Sequence, residues 1–397
     1  MSIRRRDFLK TAAFSTMAAG LSRHAVAQNP DIAGFDDTES TVQADTVWEP
    51  VSDRKIRVGI VGYGVCRFGA AFGFQDHPNV DIIAVSDLIP ERCEGLARAC
   101  RSEKTYPSLE ELVKDDDIEA VFVATDAPSH AQHCIDVMNH GKHVATAVPA
   151  VFGSLDDAER VFEKVKSTGL TYMMFETSYY HNECYAMRAL YEAGAFGKMV
   201  YSEGEYYHYA SEPIDSFKGW RIGTPPQWYP THSNAYYNGV TDGQFTEVSC
   251  MGIPSVISHL QPENNPYQNP FGTEIALFRT SEGGMARMAV SWDTPGHEGE
   301  MGRVRGQKGA MAGMHFASPY PAPEVRLDKP PLPPGVDPGG HGGSHGHLMN
   351  EFVMALLQER TPQMDIAQSL NMTVAGVVAH ESALKDGELL KIPQYTL

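Results

Sequence analysis

Short apolar segments alternate with amphipathic segments through the first half of the chain. The apolar segments have the length and composition of buried strands and lie at 55–62, 80–85, 120–124, 143–146 and 171–175. Helical patterns separate several of them, at 109–114, 131–139 and 155–167. Strands that alternate with helices form a parallel sheet covered on both faces. The pattern therefore predicts an α/β fold with a doubly wound parallel sheet over residues 55–176.

The pattern changes in residues 177–397. A helix is predicted over 183–192, and the strand patterns lie at 199–209, 272–280 and 284–292. Residues 210–240 are rich in Pro, Gly and Tyr, the loop at 330–346 is rich in Pro, Gly and His, and a further helix begins near Ser344. These features predict a C-terminal α+β domain built on a largely open sheet, with long loops of the kind that carry function.

One predicted strand, 199–209, places five side chains on a single face because side chains alternate along a strand. They are Tyr201, Glu203, Glu205, Tyr207 and Tyr209. We expect this face to be solvated, as one face of an open sheet commonly is. A role in lining a carbohydrate cleft is the alternative.

The N-terminus has the pattern of an export signal. Arginines 4–6 and Phe8-Leu9-Lys10 are followed by a moderately apolar segment at 11–21 and by the small-residue site at 25–27. This order of features describes a cleaved secretory signal and resembles the twin-arginine type, although Arg4 stands where Ser or Thr is usual. We predict a signal peptide at 1–27, a polar linker at 28–54 and a periplasmic or otherwise exported protein. A basic tail or an uncleaved helical anchor is the alternative.

Composition and charge narrow the classes of partner. The chain has 397 residues, enough for about two domains and a tail, and a net charge of −18. A chain this acidic is unsuited to nucleic acid, which needs basic stripes, and it lacks a basic amphipathic face for lipid. None of the six cysteines falls in a zinc-type pattern. We expect a small-molecule ligand and no membrane anchor after processing, and the sequence leaves a homo-oligomer open.

A dinucleotide site is predicted after the first strand. Gly62 and Gly64 follow it and precede a helix, and Asp87 ends the second strand. The first glycine permits a tight turn, and the second lets the backbone approach a pyrophosphate. A carboxylate at Asp87 favours NAD over NADP, because it accepts from a ribose hydroxyl and repels a 2′-phosphate. The third glycine position holds Arg67, so a purely structural turn is the alternative.

Longer motifs resemble the Gfo/Idh/MocA oxidoreductases across nearly all of 55–397. They include V-G-I-V-G-Y-G, V-S-D-L-I-P-E-R, V-F-V-A-T-D-A-P-S-H, G-K-H-V-A-T-A-V-P and L-Y-E-A-G-A-F-G-K. The resemblance implies an N-terminal Rossmann domain with NAD as cofactor. It also implies two further cofactor contacts, Thr125 under the nicotinamide end and His130 at the start of the next helix. The chain departs from the family at Ala147-Val148-Pro149, where Glu-Lys-Pro is usual, so lysine-assisted dehydrogenation is in doubt.

A narrower resemblance lies in the second domain. The motifs E-T-S-Y-Y, W-Y-P-T-H-S and H-G-G-S-H are similar to those of exported NAD-dependent α-N-acetylgalactosaminidases. Those enzymes oxidise C3 of a sugar, eliminate the leaving group, add water and return the hydride. The resemblance implies that Tyr179 or Tyr180, together with Tyr229 and His232, contacts the sugar and moves protons.

Histidine 232 is the predicted base, because histidine titrates near neutral pH and Val148 cannot ionise. Tyr229, three residues earlier, is expected to orient it. Tyr179 and Tyr180 are the other catalytic candidates, with packing at the domain junction as the alternative. Trp220 and His345 are candidate substrate contacts.

The histidines at 341, 345 and 347 do not predict a metal site. Glycines interrupt the segment, and no carboxylate or cysteine pattern completes a ligand set. We expect no metal and a glycine loop in which Ser344 caps the following helix.

Three functions are compatible with these features. The first is an NAD-dependent oxidoreductase that acts on a hydroxyl of a sugar or sugar-like substrate. The second is a redox-neutral NAD-dependent glycosidase, and the third is a binding protein that has lost the chemistry. Since an exported enzyme has no external NAD pool, we expect tightly held cofactor.

Overall fold

The computed structural model describes residues 47–296 and 299–397. The predicted export signal at 1–27 and most of the linker at 28–54 lie outside the described residues. Among the helices that are described, none has the length and apolar character needed to cross a membrane.

The first sheet confirms the predicted doubly wound architecture. Within the described residues it has six strands, all parallel, in the order β3-β2-β1-β4-β5-β6. They are β1 (Ile56–Val61), β2 (Val80–Ser86), β3 (Thr105–Tyr106), β4 (Ala120–Val123), β5 (His143–Ala147) and β6 (Tyr172–Phe175). The order reverses between β1 and β4, which is where open parallel sheets bind ligands at their carboxyl edge.

Helices cover this sheet, and their ends follow local sequence signals. Helix α5, for example, begins after Ser154, whose hydroxyl accepts from Asp157 N at 3.1 Å, and ends at Gly169 in the left-handed conformation. The helices of the first half are α1 (Phe68–Ala71), α2 (Pro90–Cys100), α3 (Leu109–Leu112), α4 (His130–Asn139) and α5 (Leu155–Thr168).

The second half contains an open sheet, as predicted, and this sheet is mixed. Within the described residues its order is β13-β12-β11-β7-β10-β9-β8-β14, with β7 and β10 parallel and the other pairs antiparallel. The strands are β7 (Met199–Tyr207), β8 (Phe245–Pro254), β9 (Phe271–Thr280), β10 (Met285–Ser291), β11 (Gly299–Gly306), β12 (Ala310–Ala312), β13 (His315–Ala317) and β14 (Leu390–Lys391).

The helices of the second half lie against both sheets. They are α6 (Asn182–Glu192), α7 (Thr231–Asn234), α8 (Asn238–Thr241), α9 (Gly340–Gly343), α10 (His345–Leu357) and α11 (Ile366–Ala383). Helix α7 contacts β7, β10 and β11, and α11 contacts β8 and α5 of the first half. The two halves therefore share one continuous hydrophobic core.

The other face of the mixed sheet is open, and it differs in part from the expected solvated face. Glu203 is only 9% exposed, since Arg287 and Arg303 both pair with it. Arg287 also pairs with Glu205. Tyr209 lies beyond the end of β7. The acidic side chains of this face thus serve an ion-pair network rather than a cleft.

Two elements that matter for the site have weak sequence signals. Helix α11 is buried on almost every side, so it lacks the amphipathic period that marks a surface helix. Strand β11 reads G-E-M-G-R-V-R-G, with three glycines and no aromatic residue, and so has low β-propensity. Both form because the surrounding tertiary contacts outweigh local preference.

A buried carboxylate fixes the turn that leads into the site. Glu274 in β9 is fully buried and accepts from the backbone N–H of Gln227 at 2.7 Å. Its other oxygen lies 2.6 Å from Nδ1 of His380 in α11. This links the short helical turn Pro226–Trp228 to β9 and α11, immediately before Tyr229 and α7.

Candidate active site

The loop after β1 has the geometry of a dinucleotide-binding turn. Gly62 has φ 102°, and a Cβ there would lie 2.2 Å from the carbonyl oxygen of Ala124. A Cβ on Gly64 would meet nothing within 4 Å, so the backbone is open to a ligand on that side. Gly69 in α1 allows the close approach of helix and loop that a third glycine usually provides. A Cβ at position 69 would lie 2.3 Å from the carbonyl oxygen of Gly62.

Asp87 lies at the rim of the same groove, as predicted. Its Oδ2 accepts from Tyr63 N at 2.6 Å and its Oδ1 from Ile89 N at 2.8 Å. These two bonds fix the carboxylate and leave further lone pairs for ribose hydroxyls. The turn, the open Gly64 and the fixed carboxylate together fit a dinucleotide.

Thr125 and His130 take different positions around this groove. Thr125 lines it, and the Thr125 hydroxyl lies 2.9 Å from His133 Nδ1. His130 is buried behind the wall, with Nδ1 2.8 Å from Pro149 O and Nε2 3.3 Å from Thr125 O. The prediction that His130 contacts the cofactor is therefore corrected: its ring bonds the turns after β4 and β5 together.

The second half of the chain supplies the opposite wall of the groove. Ser216, Phe217, Trp220 and Arg221 line it. The Arg221 guanidinium lies over the Trp220 ring at 4.3 Å, and its Nη2 lies 3.7 Å from the Cys66 thiol of the glycine loop. Trp220, a candidate substrate contact, thus stands between the groove and an adjoining pocket.

That adjoining pocket is lined mainly by aromatic rings. The ring centroids of Trp220 and Tyr229 lie 6.3 Å apart with the rings nearly parallel. Those of Tyr206 and Trp292 lie 5.5 Å apart, edge to face. His208 and Arg221 add polar groups. Flat apolar rings beside a few polar groups are suited to the faces and hydroxyls of a sugar.

His232 is the centre of a buried polar cluster beside this pocket. It lies on α7 and is 4% exposed. Its Nδ1 donates to Glu176 Oε1 at 2.7 Å and lies 3.7 Å from Glu300 Oε1. Glu176 follows β6, and Glu300 belongs to β11.

The opposite ring nitrogen, Nε2, has no hydrogen-bond partner in the part of the chain that the structure describes. His232 lines a small pocket together with Tyr229, Ala147 and Val148. Because Nδ1 faces the carboxylates, Nε2 is the atom left to meet a ligand there.

The carboxylates determine the protonation state of His232. Burial lowers the pKa of His232, but Glu176 and Glu300 outweigh burial and raise this pKa to about 9. Burial alone would raise the pKa of the Glu300 carboxyl group. His232 and His181 outweigh burial and hold this pKa below its usual value. The two carboxylates therefore favour the protonated ring at neutral pH, and the role of His232 as a base stays a prediction.

Tyr229 does not orient His232 by a hydrogen bond. Its ring lies 5.6 Å from the histidine ring, and burial raises the pKa of its phenol to about 12. The carboxylates do the orienting instead. Tyr229 contributes a neutral wall to the pocket.

Tyr179 and Tyr180 are packing residues, the alternative that the sequence left open. Tyr180 donates to Gln363 Oε1 at 2.8 Å, and the Arg188 guanidinium covers the Tyr179 ring at 3.6 Å. Both are about 95% buried and neither lines a pocket near His232. Their predicted catalytic role is corrected on this placement.

The three histidines of the glycine loop also occupy distinct places. His341 lines the pocket of His232, and its Nδ1 lies 3.0 Å from His345 Nε2. His345 also contacts Ala71 O at 3.2 Å, so this candidate substrate contact lies behind His341. His347 stacks on Tyr180 at 5.5 Å.

Side chains of the types that bind metal ions cluster around His232 and not around the histidines of the glycine loop. Atoms of Glu176, His232 and Glu300 lie within 4.8 Å of one another. The 2.7 Å separation of His232 Nδ1 and Glu176 Oε1 is that of a direct hydrogen bond. This contact accounts for one oxygen of Glu176, and the other, Oε2, is buried without a hydrogen-bond partner among the described residues.

Sequence reasoning missed the residues that hold His232. Glu176 was visible as a polar residue directly after a buried strand, the position where parallel sheets place ligand contacts. Glu300 had no such signal, because β11 does not resemble a strand. Arg221 and His208 lie in a loop-rich region whose path could not be derived.

Comparison with known proteins agrees with this architecture. Residues 56–176 match the oxidoreductase family GFO_IDH_MocA, described as an NAD-binding Rossmann fold. "Levoglucosan dehydrogenase, complex with NADH" has a TM-score of 0.71 at 18% identity, covering 86% of this chain and 100% of that chain. An oxidoreductase domain protein from Kribbella flavida also has a TM-score of 0.71, at 20% identity over 86% of this chain and all of that chain. At these identities the likeness shows the fold.

Curated relatives carry a different description. "Glycosyl hydrolase family 109 protein 1" of Bacteroides fragilis (strain YCH46) is 33% identical over 162 residues, which are 38% of this chain and 35% of that protein. The matched segment thus spans about a third of that relative. A "Glycosyl hydrolase family 109 protein" of Shewanella pealeana is 24% identical over 461 residues, covering 100% of this chain and 97% of that protein.

Replacing Asp87 tests the cofactor site. We expect Asp87→Ala to weaken NAD binding about tenfold or more, since hydrogen bonds to a charged group contribute roughly 1.5–3 kcal/mol. Relative tolerance of NADP should rise, because a repelling charge is lost. Asp81→Ala is the control, because Asp81 lies in β2, the strand that Asp87 directly follows, and pairs with Lys55 at the surface. Unchanged NAD affinity by calorimetry would make Asp87 purely structural.

Proposed function

We propose that this chain, whose residues 56–176 are an NAD-binding Rossmann domain of the GFO_IDH_MocA oxidoreductase family, oxidises or reduces a sugar-like substrate at a carbinol carbon. The observation that carries the proposal is the position of His232. With Tyr229 it faces Ala147 and Val148, which end β5 and follow it at the carboxyl edge of the Rossmann sheet. Ligands of such sheets react at that edge.

The chain's own residues divide the work of binding and proton transfer. The cofactor, when bound, supplies the hydride acceptor or donor. Gly62, Gly64 and Asp87 would hold it, and the aromatic pocket of Trp220 and Trp292 would hold the sugar. His232 Nε2 moves the proton of the reacting oxygen.

Protonated His232 suits one direction of the reaction. A carbonyl that receives hydride needs a proton donor, and His232 is that donor at neutral pH. Oxidation of a hydroxyl needs a base, so it depends on the fraction of His232 that has lost its proton. Oxidation should therefore accelerate as pH rises through about 9.

A redox-neutral glycosidase is the second candidate. The relatives named as family 109 glycosyl hydrolases, one of them matched over 97% of its length, support it. An acid held ready at neutral pH is also what a leaving glycosidic oxygen requires. In this cycle the hydride returns to the substrate, so no net oxidation accumulates. Deuterium incorporation at C2 of sugar released in heavy water would distinguish this cycle from simple dehydrogenation.

The variant His232→Asn tests the assignment. We expect hydride transfer to or from bound cofactor to fall by about 10²–10⁴-fold, roughly 3–5 kcal/mol of barrier, with cofactor affinity unchanged. The measurement is nicotinamide absorbance at several pH values while sugars, keto sugars and glycosides are screened. His315→Asn, at an exposed site in β13, is the control.

Two results of this screen would contradict the proposal. An undiminished rate in His232→Asn would place the proton-transferring group elsewhere. Sugars that bind without ever reducing or oxidising the cofactor would instead indicate a binding protein.

We propose in addition that the chain is exported by the twin-arginine route with its cofactor held tightly. The signal pattern at 1–27 supports export, and the absence of an external NAD pool makes retention necessary. Mass spectrometry of protein from the exported fraction should find about one NAD(H) per chain after dialysis. Replacing Arg5 and Arg6 by Lys should leave the protein inside the cell. Exported protein without cofactor, binding NAD only at millimolar concentration, would contradict retention.

A further inference from the structure

Strand β11 delivers a carboxylate to the buried side of the mixed sheet. Side chains alternate along it, so Glu300 faces the same side as Val304, which is 1% exposed. Met301, on the other side, is 45% exposed. Glu300 pairs across from Tyr206 of β7, another buried residue beside His232. The pairing of β11 with β7 therefore places the Glu300 side chain next to His232.

Besides His232, the Ser178 hydroxyl bonds the Glu300 carboxylate, and two further groups lie close to the carboxylate or its backbone. Its Oε2 accepts from the Ser178 hydroxyl and lies 3.2 Å from Nε2 of His181. Its backbone carbonyl accepts from the Tyr236 hydroxyl at 3.3 Å. Because the Glu300 side chain is already fixed, it loses little further conformational freedom when it interacts with His232.

Ser178 joins the two carboxylates around His232. Its backbone N–H donates to Glu176 Oε1 at 2.8 Å, and its hydroxyl donates to Glu300. His232 Nδ1 faces the same two side chains, at 2.7 and 3.7 Å. The histidine thus has one carboxylate in hydrogen-bond contact and a second within ion-pair distance.

We propose that Glu300 is a positioning residue of the reaction: with Glu176 it fixes the His232 ring with Nε2 toward the pocket and stabilises its imidazolium form. This deepens the proposed function and rests on it for its catalytic meaning. The consequence is that the resting site is set to give a proton to a substrate oxygen rather than to take one.

The other titratable or charged groups that face His232 do not substitute for Glu300. His208 and His341 are neutral, because burial lowers the pKa of each to about 4. Burial raises the pKa values of Tyr206 and Tyr229 above the ordinary value, so these phenols are neutral too. Arg221 is a cation and favours loss of the proton. Among the residues that the structure describes, Glu176 and Glu300 are therefore the groups that stabilise the charge.

Titration of His232 in the full chain with bound NAD tests the proposal without needing a substrate. The ring is followed by NMR of histidine-labelled protein and assigned by its absence in His232→Asn. We expect Glu300→Gln to lower the titration midpoint by about 1–3 pH units, the effect of losing one carboxylate at this distance. Glu205→Gln, which removes a carboxylate paired with Arg287 on the other face of the mixed sheet, is the control and should leave the midpoint in place.

The same variants give a readout in the reaction. For Glu300→Gln the pH at which hydroxyl oxidation accelerates should move down with the His232 midpoint, with KM for the sugar changing little. Glu300→Asp, which keeps the charge, should restore part of the shift. A residue that only stabilised the fold would lower the temperature of unfolding and leave the pH profile where it was.

An unchanged His232 midpoint in folded Glu300→Gln overturns the proposal. If that variant does not fold, Glu300→Asp replaces it, because the shorter side chain moves the carboxylate away from His232 Nδ1. An unchanged midpoint in Glu300→Asp then overturns it equally. A shifted midpoint in a protein that oxidises and reduces no sugar would leave Glu300's effect on His232 established and reject the proposed function instead.

Discussion

A buried imidazole between two buried carboxylates constrains the rest of this structure. Glu176 is fully buried and the Glu300 side chain is 4% exposed, so their charges have left water at considerable cost. This desolvation cost is offset only if a cation and hydrogen-bond donors stay in contact with the two carboxylates. His232 supplies the charge, and Ser178 supplies two hydrogen bonds.

That requirement joins distant parts of the chain. Glu176 follows the last strand of the Rossmann sheet, His232 lies on a short helix of the second half, and Glu300 comes from the mixed sheet. The buried contact between Glu274 and His380 fixes the turn before Tyr229, and α11 packs against both halves. The proton site and the cofactor groove are therefore held in one rigid arrangement.

Much of the fold could be predicted because its first half obeys local rules. The strands of the parallel sheet are continuous apolar segments, and their observed ends differ from the expected ones by a residue or so. Gly62, Gly64 and Asp87 were predictable for the same reason, since a turn, a close backbone approach and a strand end each demand a residue type. His232 was found through a motif and not through a pattern of spacing.

The protonation state of that histidine and its second carboxylate could not be predicted. Both depend on contacts between residues that are far apart along the chain: His232 and Glu176 are 56 positions apart, and Ser178 and Glu300 are 122 apart. Strand β11 forms only because β7 and β12 pair with it on either side. Tyr179 and Tyr180 lie near a strand end, where ligand contacts are common, and this position suggested a catalytic role. Their side chains instead turn inward and pack against Arg188 and Gln363.

Transfer of a labelled hydride tests the proposed redox role of this site directly. NAD-loaded protein is mixed with sugars carrying deuterium on the carbinol carbons, and the mass of the released cofactor is measured by mass spectrometry. We expect a reduced cofactor one mass unit heavier with the native chain, and a strongly reduced yield with His232→Asn. A sugar that binds in the aromatic pocket without passing deuterium to the cofactor, at any pH up to 10, would contradict it.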